Sequence, residues 1–211
     1  MKINARQLNL YAVTDRSWLK PGETLVSVTE ELLKAGITCV QLREKHMSDE
    51  EILKEASFLK DLCDSYQVPL IINDRPDLAK KSGASGVHVG LSDMGIQKAR
   101  QILGHDFIIG ASAHNVEEAL AAEAAGADYL GCGAVFGSKT KTNVSRLSPE
   151  TLKNICAAVH IPVVAIGGLN LSNLDILKGS GADGIAVVSA IMKAENPRKA
   201  AEELLMEVKQ L

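Results

Sequence analysis

Three polar residues at alternating positions, Gln41, Arg43 and Lys45, are the first candidates for chemistry in this sequence. They continue an apolar run, residues 37–40, that is typical of a β-strand. Because strand side chains alternate between two faces, these three should share one face. A guanidinium and an ammonium both suit phosphate oxygens, so the segment predicts a polyanion site. The alternative is a structural ion pair of Arg43 with Glu44 at the rim of the fold.

Two aspartates, Asp74 and Asp93, each follow a later strand-like run. Mg²⁺ in proteins commonly binds one or two carboxylates together with substrate phosphates and water. Two carboxylates beside the cations of the first segment therefore predict a magnesium ion bridged to phosphate oxygens. Both also have a structural alternative that stays open. Asp74 could cap the turn before Pro76, and Asp93 could be the N-cap of a helix over residues 93–103.

A second candidate anion site lies in the last third of the chain, where Gly167 and Gly168 follow one apolar run and Ser189 follows another. Glycine lets backbone N–H groups approach a phosphate, and a following helix N-terminus adds partial positive charge. A simple tight turn is the alternative. An earlier polar loop adds hydroxyl and ammonium groups, from Ser138, Lys139, Thr140 and Lys141. The alternative for this segment is a solvated surface loop. Two anion sites predict two phosphorylated substrates, or one substrate with a phosphate at each end.

Two histidines lie within or just after strand-like runs. His88 alternates with valines, which favours a packed structural side chain over a catalyst. His114 follows Ser112 at a strand end, but Asn115 after it is a good helix N-cap. A site role and a place at a helix start both stay open for His114.

Composition limits the classes of partner. The net charge of −3 and the aromatic content of 3% argue against a nucleic-acid partner, because basic fields and stacking platforms are both missing. No apolar run approaches the roughly 18 residues of a transmembrane helix, so we expect no membrane partner. The four cysteines show no metal-ligand spacing. We expect reduced thiols in a cytoplasmic protein.

The candidate residues need a framework that brings strand ends together. Short apolar runs bounded by turn residues alternate with helical patterns eight times, which indicates parallel strands with crossover helices. One of these patterns predicts a helix over residues 171–178. A weak repeat places a glycine before each even-numbered strand, at Gly36, Gly83, Gly126 and Gly181.

We therefore predict a single α/β domain over residues 1–211, a (β/α)8 TIM barrel; an open, doubly wound sheet is the alternative. Active sites of such barrels lie at the carboxyl ends of the strands. Polar residues gather at those ends in this sequence, whereas the amino ends are blander.

Eight short motifs, spread over nearly the whole chain, together resemble the thiamine phosphate synthase (thiamine-phosphate pyrophosphorylase) family. They are residues 10–15 (LYAVTD), 41–45 (QLREK), 72–75 (INDR), 86–90 (GVHVG), 110–114 (GASAH), 140–141 (TK), 165–168 (AIGG) and 184–189 (GIAVVS).

The resemblance implies a transferase that condenses hydroxymethylpyrimidine diphosphate with hydroxyethylthiazole phosphate, giving thiamine phosphate and pyrophosphate with Mg²⁺. Its partners would be these two phosphorylated small molecules. Asp74 and Asp93 would hold the magnesium. The pyrimidine diphosphate would be held by Gln41, Leu42, Arg43, Glu44, Lys45, Asn73, Ser112 and Lys141. The thiazole phosphate would be held by Ser138, Lys139, Thr140, Gly168, Val188 and Ser189. Catalysis would fall to Ser112 and to three cations that stabilise the leaving diphosphate, Arg43, Lys45 and Lys141.

Two segments depart from the family pattern. The loop that contains Gly137 lacks both of the family's prolines, and Ser138 replaces a threonine. The segment Leu91-Ser92-Asp93 keeps one acid where the family often has two. Two rivals stay open, namely the sister thiazole tautomerases on the same barrel and a regulator that binds thiamine intermediates without turnover. The sequence leaves open whether the chain forms a homo-oligomer.

Overall fold

Eight parallel strands close into a barrel in this protein. The structure, a computed structural model, describes residues 3–90, 95–136 and 147–210. Each strand pairs with its neighbours in sequence, and β1 pairs with β8 to close the ring. The predicted eight-stranded α/β barrel is confirmed, and the domain limits 1–211 stay a prediction. The strands are β1 Leu10–Val13, β2 Cys39–Leu42, β3 Leu70–Asn73, β4 Gly86–Val89, β5 Ile108–Ala113, β6 Tyr129–Cys132, β7 Val163–Ile166 and β8 Gly184–Val187.

Helices lie between the strands and cover the outside of the barrel. They are α1 Leu25–Lys34, α2 Asp49–Ser65, α3 Pro76–Ser82, α4 Ile96–Leu103, α5 Val116–Ala124, α6 Pro149–Ala158, α7 Ser189–Met192 and α8 Pro197–Val208, with 3-10 turns at Ala5–Leu8, Arg16–Trp18 and Leu174–Leu177. Five of the helices start at a polar residue whose side chain accepts from a backbone N–H of the first turn. These caps are Thr24, Ser48, Asn115, Ser148 and Asn196. None of the helices in the described ranges is long and apolar enough to cross a membrane.

Strand residues divide between two cores, as their alternation requires. In β1, Leu10 and Ala12 belong to the core between strands and helices, whereas Tyr11 and Val13 belong to the core inside the barrel. Cys39 of β2 also lies inside the barrel. Gln41, two residues later, therefore faces the interior near the carboxyl ends.

The predicted repeat corresponds to a repeated turn. Its four glycines all have positive φ, between 69° and 96°, and each precedes an even-numbered strand. This backbone conformation favours glycine, which explains why the same residue recurs at these helix-to-strand connections.

The helix predicted over residues 171–178 is wrong, because the segment forms only the 3-10 turn Leu174–Leu177. Asn170 accepts from the backbone N–H of Ser172 at 3.0 Å, and Asn173 accepts from that of Asn170 at 2.9 Å. Such local side-chain bonds compete with helical backbone bonds.

The helix predicted to begin at Asp93 is also shorter than expected. Helix α4 begins at Ile96, and its N-cap is Gly95, which makes no side-chain cap. The alternative of Asp93 as the N-cap is therefore wrong. Asp93 itself lies outside the described residues.

Candidate functional site

A cavity of about 590 Å³ opens at the carboxyl ends of the strands. Its described wall carries two cationic side chains, Arg43 and Lys193, and no carboxylate. A wall of this kind favours an anionic ligand. Its polar and aromatic side chains are Tyr11, Trp18, Gln41, Arg43, Asn73, His88, Ser112, His114, Ser189 and Lys193.

The end of β2 supplies two of the predicted residues. Gln41 is 5% exposed inside the barrel, and Arg43, just past the strand, lines the cavity. The Arg43 backbone N–H donates to Thr14 Oγ1 at 3.0 Å, which anchors the residue to the end of β1. Among the described residues no carboxylate lies within ion-pair distance of the Arg43 guanidinium. The structural alternative, an ion pair with Glu44, is therefore not observed, and the Arg43 charge is available to a ligand.

The other residues of this segment lie elsewhere. Leu42 is 1% exposed and packs between strand and helices, so its side chain does not face the cavity. Glu44 accepts from Arg16 Nε at 3.1 Å. Burial raises the pKa of Glu44, although Arg16 acts in the opposite direction. Lys45 is exposed and is not in the described cavity wall, because β2 ends at Leu42 and strand alternation does not extend to it. The substrate roles of these three residues stay predictions.

The end of β3 supplies Asn73 and Asp74. Asn73 lines the cavity, and its amide donates to Asp74 Oδ2 at 2.5 Å. Asp74 has φ of 60°, and its backbone N–H donates to the His88 carbonyl at 2.8 Å. This uncommon conformation is typical of functional sites. The N-cap of α3 is Arg75, so Asp74 is not the N-cap of that helix, and its alternative role in the turn before Pro76 stays open.

These residues fit a magnesium ion in part. The described ranges contain no group of three or more metal-ligating side chains. A single carboxylate in a fixed orientation beside a cavity for phosphates suits Mg²⁺, which takes its other ligands from phosphates and water. Asp93, the second predicted ligand, lies outside the described residues.

A chain of hydrogen bonds crosses the floor of the cavity. Gln41 Nε2 donates to the Tyr11 hydroxyl at 2.7 Å, and this hydroxyl lies 2.9 Å from that of Tyr129. His88 joins Tyr129 through Nδ1 at 3.1 Å and Ser112 Oγ through Nε2 at 3.2 Å. Burial raises the pKa of both tyrosines well above the ordinary value. His88 is thus both packed and in contact with a predicted site residue.

Sequence reasoning missed the roles of Tyr11 and Tyr129. The available signal is a tyrosine on the inward face of a buried strand, because its hydroxyl must find a partner there. That signal does not identify the partner, since Tyr11 and Tyr129 are 118 residues apart in the chain.

The location of His114 is compatible with both of its open alternatives, and a site role stays a prediction. It lines the cavity, and it also lies at the start of α5, where its Nδ1 is 3.1 Å from Glu118 Oε2. The Glu118 carboxylate also accepts from the His114 backbone N–H at 2.7 Å.

Two glycines form part of the cavity wall after β7. Gly167 and Gly168 follow β7 with φ of 108° and 68°, and the amides of Asn170 and Asn173 donate to the Gly168 carbonyl at 3.2 and 3.0 Å. A Cβ at Gly167 would lie 2.5 Å from Ala134 Cα, so only glycine fits.

After β8, Val188 and Ser189 both line the cavity, as predicted from the sequence. Helix α7, which begins at Ser189, has only four residues. No helix follows the two glycines directly, so the predicted helix dipole behind them is wrong. Backbone N–H groups and the Ser189 hydroxyl are therefore the donors that this part of the wall offers to a phosphate.

Trp18 and Lys193 are wall residues that the sequence did not single out. Lys193 Nζ lies 5.4 Å from the centroid of the Trp18 ring, within range of a cation–π contact. Lys20 donates to the carbonyls of Ala194 and Glu195 at 3.1 and 2.7 Å, which ties the loop after β1 to the segment after α7. The Trp18 indole N–H is buried and has no acceptor in the described residues. The available sequence signal for Trp18 is a large aromatic residue shortly after a barrel strand.

Four predicted residues of the polar loop lie outside the described residues: Ser138, Lys139, Thr140 and Lys141. Their roles stay predictions.

Comparison with known proteins identifies the family. The family model described as "thiamine monophosphate synthase" matches residues 10–191. The chain belongs to this family. The Thiamine-phosphate synthase of Clostridium tetani is 49% identical over 92% of this chain and 93% of its own. That of Methanobrevibacter smithii is 45% identical over 98% of both chains. A solved structure of thiamine phosphate pyrophosphorylase from Pyrococcus furiosus is 40% identical, covers 98% of both chains and has a TM-score of 0.89.

Membership in the thiamine monophosphate synthase family confirms the resemblance inferred from the sequence motifs. The agreement extends to the fold, since the Pyrococcus furiosus structure superimposes over almost the whole barrel.

Proposed function

We propose that this protein is a transferase that joins a pyrimidine carrying a diphosphate to a thiazole carrying a phosphate, giving thiamine phosphate. The bond between the pyrimidine methylene and the diphosphate oxygen breaks, and its electron pair leaves with the diphosphate. The thiazole nitrogen then donates its lone pair to the methylene carbon, forming the new C–N bond. The relatives named thiamine-phosphate synthase support this reaction.

The observation that carries the proposal is the chemistry of the cavity wall. Arg43, Asn73 and Ser112 follow or end different strands and face one cavity whose described wall has no carboxylate. A guanidinium, an amide and a hydroxyl can all donate to a diphosphate. They are in place before charge develops on the leaving group, which is how preorganised donors lower a barrier.

We assign the pyrimidine ring to Gln41, beneath the diphosphate. A side-chain amide offers a donor and an acceptor, which match the amino group and ring nitrogen of an aminopyrimidine. Gln41 is held in place by Tyr11, so the ring would be oriented before the reaction. Lys45 and Lys141 complete the cationic set in this proposal.

We assign Mg²⁺ to Asp74 and Asp93. When bound, the ion supplies positive charge that neutralises the leaving diphosphate. Asn73 holds the Asp74 carboxylate and also lines the cavity, so it links the metal side of the site to the substrate side.

We assign the thiazole phosphate to the backbone wall at Gly168, Val188 and Ser189, completed by Ser138, Lys139 and Thr140. Gly168 follows β7, which lies opposite β3 in the ring of eight strands, and Ser189 follows the neighbouring strand β8. The two substrates would thus bind on opposite walls with their reacting atoms toward the centre. Holding two reactants in this alignment lowers the barrier by a large entropic contribution.

The test is a reconstituted reaction. Purified protein, Mg²⁺ and both phosphorylated substrates should yield thiamine phosphate and pyrophosphate in equal amounts, measured by chromatography. Turnover of the thiazole phosphate alone would favour the tautomerase rival. Binding of both substrates without product would favour the regulator, and either result would refute the synthase proposal.

We also propose a cytoplasmic location, because all four cysteines are free thiols in the structure. Size-exclusion chromatography with light scattering would determine whether the chain forms a homo-oligomer, which this proposal leaves open.

A further inference from the structure

The hydrogen-bond chain beneath the cavity has a direction, which is set by the orientation of the Gln41 amide at one of its ends. Its members are Gln41, Tyr11, Tyr129, His88 and Ser112, and we call it the floor chain. Gln41 and Ser112 are its two ends, and both line the cavity. Successive contacts are 2.7, 2.9, 3.1 and 3.2 Å, all within hydrogen-bond range.

Counting protons fixes the order of donors. Both tyrosines stay protonated, because burial raises the pKa of each hydroxyl, so each has one proton to donate. Tyr11 accepts from Gln41 and therefore donates to Tyr129. The Cys39 thiol also contacts the Tyr11 hydroxyl, but a thiol is a much weaker acceptor than a hydroxyl oxygen, so the Tyr11 proton goes to Tyr129.

The order continues through the imidazole. Since the Tyr129 hydroxyl accepts from Tyr11, its own proton goes to His88 Nδ1. A neutral imidazole that accepts at Nδ1 carries its proton on Nε2, and it donates that proton to Ser112 Oγ. Ser112 is then left with a hydroxyl proton that it can give to a ligand in the cavity.

We propose that Tyr11, Tyr129 and His88 are positioning residues that couple the amide orientation of Gln41 to the donor role of Ser112. This inference rests on the proposed function only for the identity of the ligands. A ring bound to Gln41 keeps the amide nitrogen toward Tyr11. The floor chain then holds the Ser112 proton toward the oxygen of the leaving diphosphate.

The opposite order shows why Gln41 is the controlling end. If its amide carbonyl faced Tyr11, every donor in the floor chain would reverse, and His88 would carry its proton on Nδ1. Ser112 would then donate to His88 Nε2 and could only accept from a ligand. Such a hydroxyl would lose its favourable contact with an anion. Binding of one half of the substrate is thereby linked to the contact with the other half.

Nitrogen NMR tests the order without any substrate. Protein labelled with ¹⁵N-histidine is recorded near pH 8, above the ordinary histidine pKa of about 6.5. We expect His88 to carry its proton on Nε2, with an Nδ1 resonance shifted by an accepted hydrogen bond. Tyr129→Phe should return Nδ1 to the position of a nitrogen without a donor. A proton on Nδ1 in the unaltered protein, or no change in Tyr129→Phe, would overturn the proposal.

The matched control is Tyr66→Phe, which removes the same hydroxyl from an exposed tyrosine at the end of α2. It should leave the His88 resonances in place. Since this readout needs no turnover, it remains decisive even if the proposed reaction is wrong.

Kinetics test the coupling itself. Tyr129→Phe should lower kcat on the order of tenfold, the effect of one lost hydrogen bond, and leave KM for the thiazole phosphate unchanged. In a Ser112→Ala background the same substitution should have no further effect on kcat, because the floor chain acts through Ser112. If the fold reductions in kcat of the two single substitutions multiply in the double variant, Tyr129 has only a structural role. Absence of product with unaltered protein would instead refute the proposed function, and the NMR result would still decide the order of donors.

Discussion

The two rims of the barrel carry similar polar side chains but use them differently. At the amino ends of the strands, Arg100 donates to the Phe107 carbonyl at 2.6 Å and to Asp128 at 2.8 Å. The same Asp128 oxygen accepts from the Ile109 backbone N–H at 2.8 Å. Asp183 repeats the arrangement by accepting from the Val163 backbone N–H at 2.8 Å. These charges satisfy the barrel's own backbone.

The carboxyl rim presents its polar groups to a cavity instead. Arg43, Asn73 and Ser112 all line it, and the Arg43 guanidinium pairs with no carboxylate in the described part of the chain. The expectation of a bland amino rim is therefore wrong. What distinguishes the site is that its polar side chains face a cavity, and that the Arg43 guanidinium has no carboxylate partner among the described residues.

The largest expected effect comes from the carboxyl rim. Arg43→Ala should lower kcat roughly 10²–10³-fold, or about 3–4 kcal/mol, because it removes a preorganised cation from the leaving diphosphate. Its free energy of unfolding should barely change. Steady-state kinetics and urea unfolding on the same samples measure both quantities.

Arg198→Ala is the matched control, since Arg198 is exposed on α8 and pairs with Glu202 at 3.0 Å. It should change neither quantity. If Arg43→Ala retained near-normal kcat, or lost its stability along with its activity, the contrast between the rims would fail.

The second effect, at the amino rim, should appear in the free energy of unfolding and not in kcat. Arg100→Ala should lower the free energy of unfolding by about 2–3 kcal/mol, because it removes the ion-pair partner of the largely buried Asp128 carboxylate and a donor to three backbone carbonyls. The kcat per folded molecule should stay within about twofold of normal, since Arg100 does not line the cavity. Lys34→Ala, which removes exposed ion pairs on α1, is the control and should leave stability unchanged. A selective loss of kcat in Arg100→Ala would contradict this assignment.

The sequence predicts the barrel well because its signals are local. Eight alternating patterns imply parallel strands, and the cluster of polar residues at strand ends implies the location of the site. The floor chain could not be predicted, because the Tyr11–Tyr129 contact depends on the tilt and register of a closed barrel. Lys45 shows the same limit, since its position depends on where β2 ends.

The absence of the helix predicted over residues 171–178 has a more local cause. Its apolar spacing is helical, but Asn170 and Asn173 bond to nearby backbone and to the Gly168 carbonyl. The apolar spacing favours a helix and the asparagine side chains favour a turn, and the spacing alone does not show which of the two forms. The side-chain amides of Asn170 and Asn173 also hold the turn at Gly168, which lines the cavity. The turn that forms in place of the helix therefore contributes to the site.

A third prediction tests whether backbone on the carboxyl rim matters as much as side chains. Gly167→Ala should lower the free energy of unfolding by about 2 kcal/mol through its positive φ and the close Ala134 contact. It should also raise KM for the thiazole phosphate, because the adjacent wall must shift. Gly179→Ala separates the two causes, since Gly179 has φ of 71° but open space around its Cα. The control should lose only about 1 kcal/mol and keep a normal KM. Equal KM values in the two variants would contradict a phosphate site at this wall.

The smallest effect concerns an arginine on the carboxyl rim that resembles those of the amino rim. Arg75 donates to both oxygens of Asp49 at 2.7 Å and to Asp77 at 2.9 and 3.0 Å. Its hydrogen bonds lower the pKa of Asp49 and of Asp77 below the ordinary value. A carboxyl with a lowered pKa stabilises the fold fully above its unfolded pKa, about 3.9 for aspartate, and loses this as the pH falls through the folded value.

Arg75→Gln should therefore be slightly less stable than the unaltered protein from neutral pH down to about pH 5, and the difference should shrink below about pH 4. Urea unfolding at a series of pH values measures it, with Arg198→Ala as the exposed-arginine control. A constant or growing difference in acid would contradict the pairing. A large fall in kcat would show that Arg75 serves the cavity as Arg43 does, and that location on the rim, rather than an unused charge, defines the site.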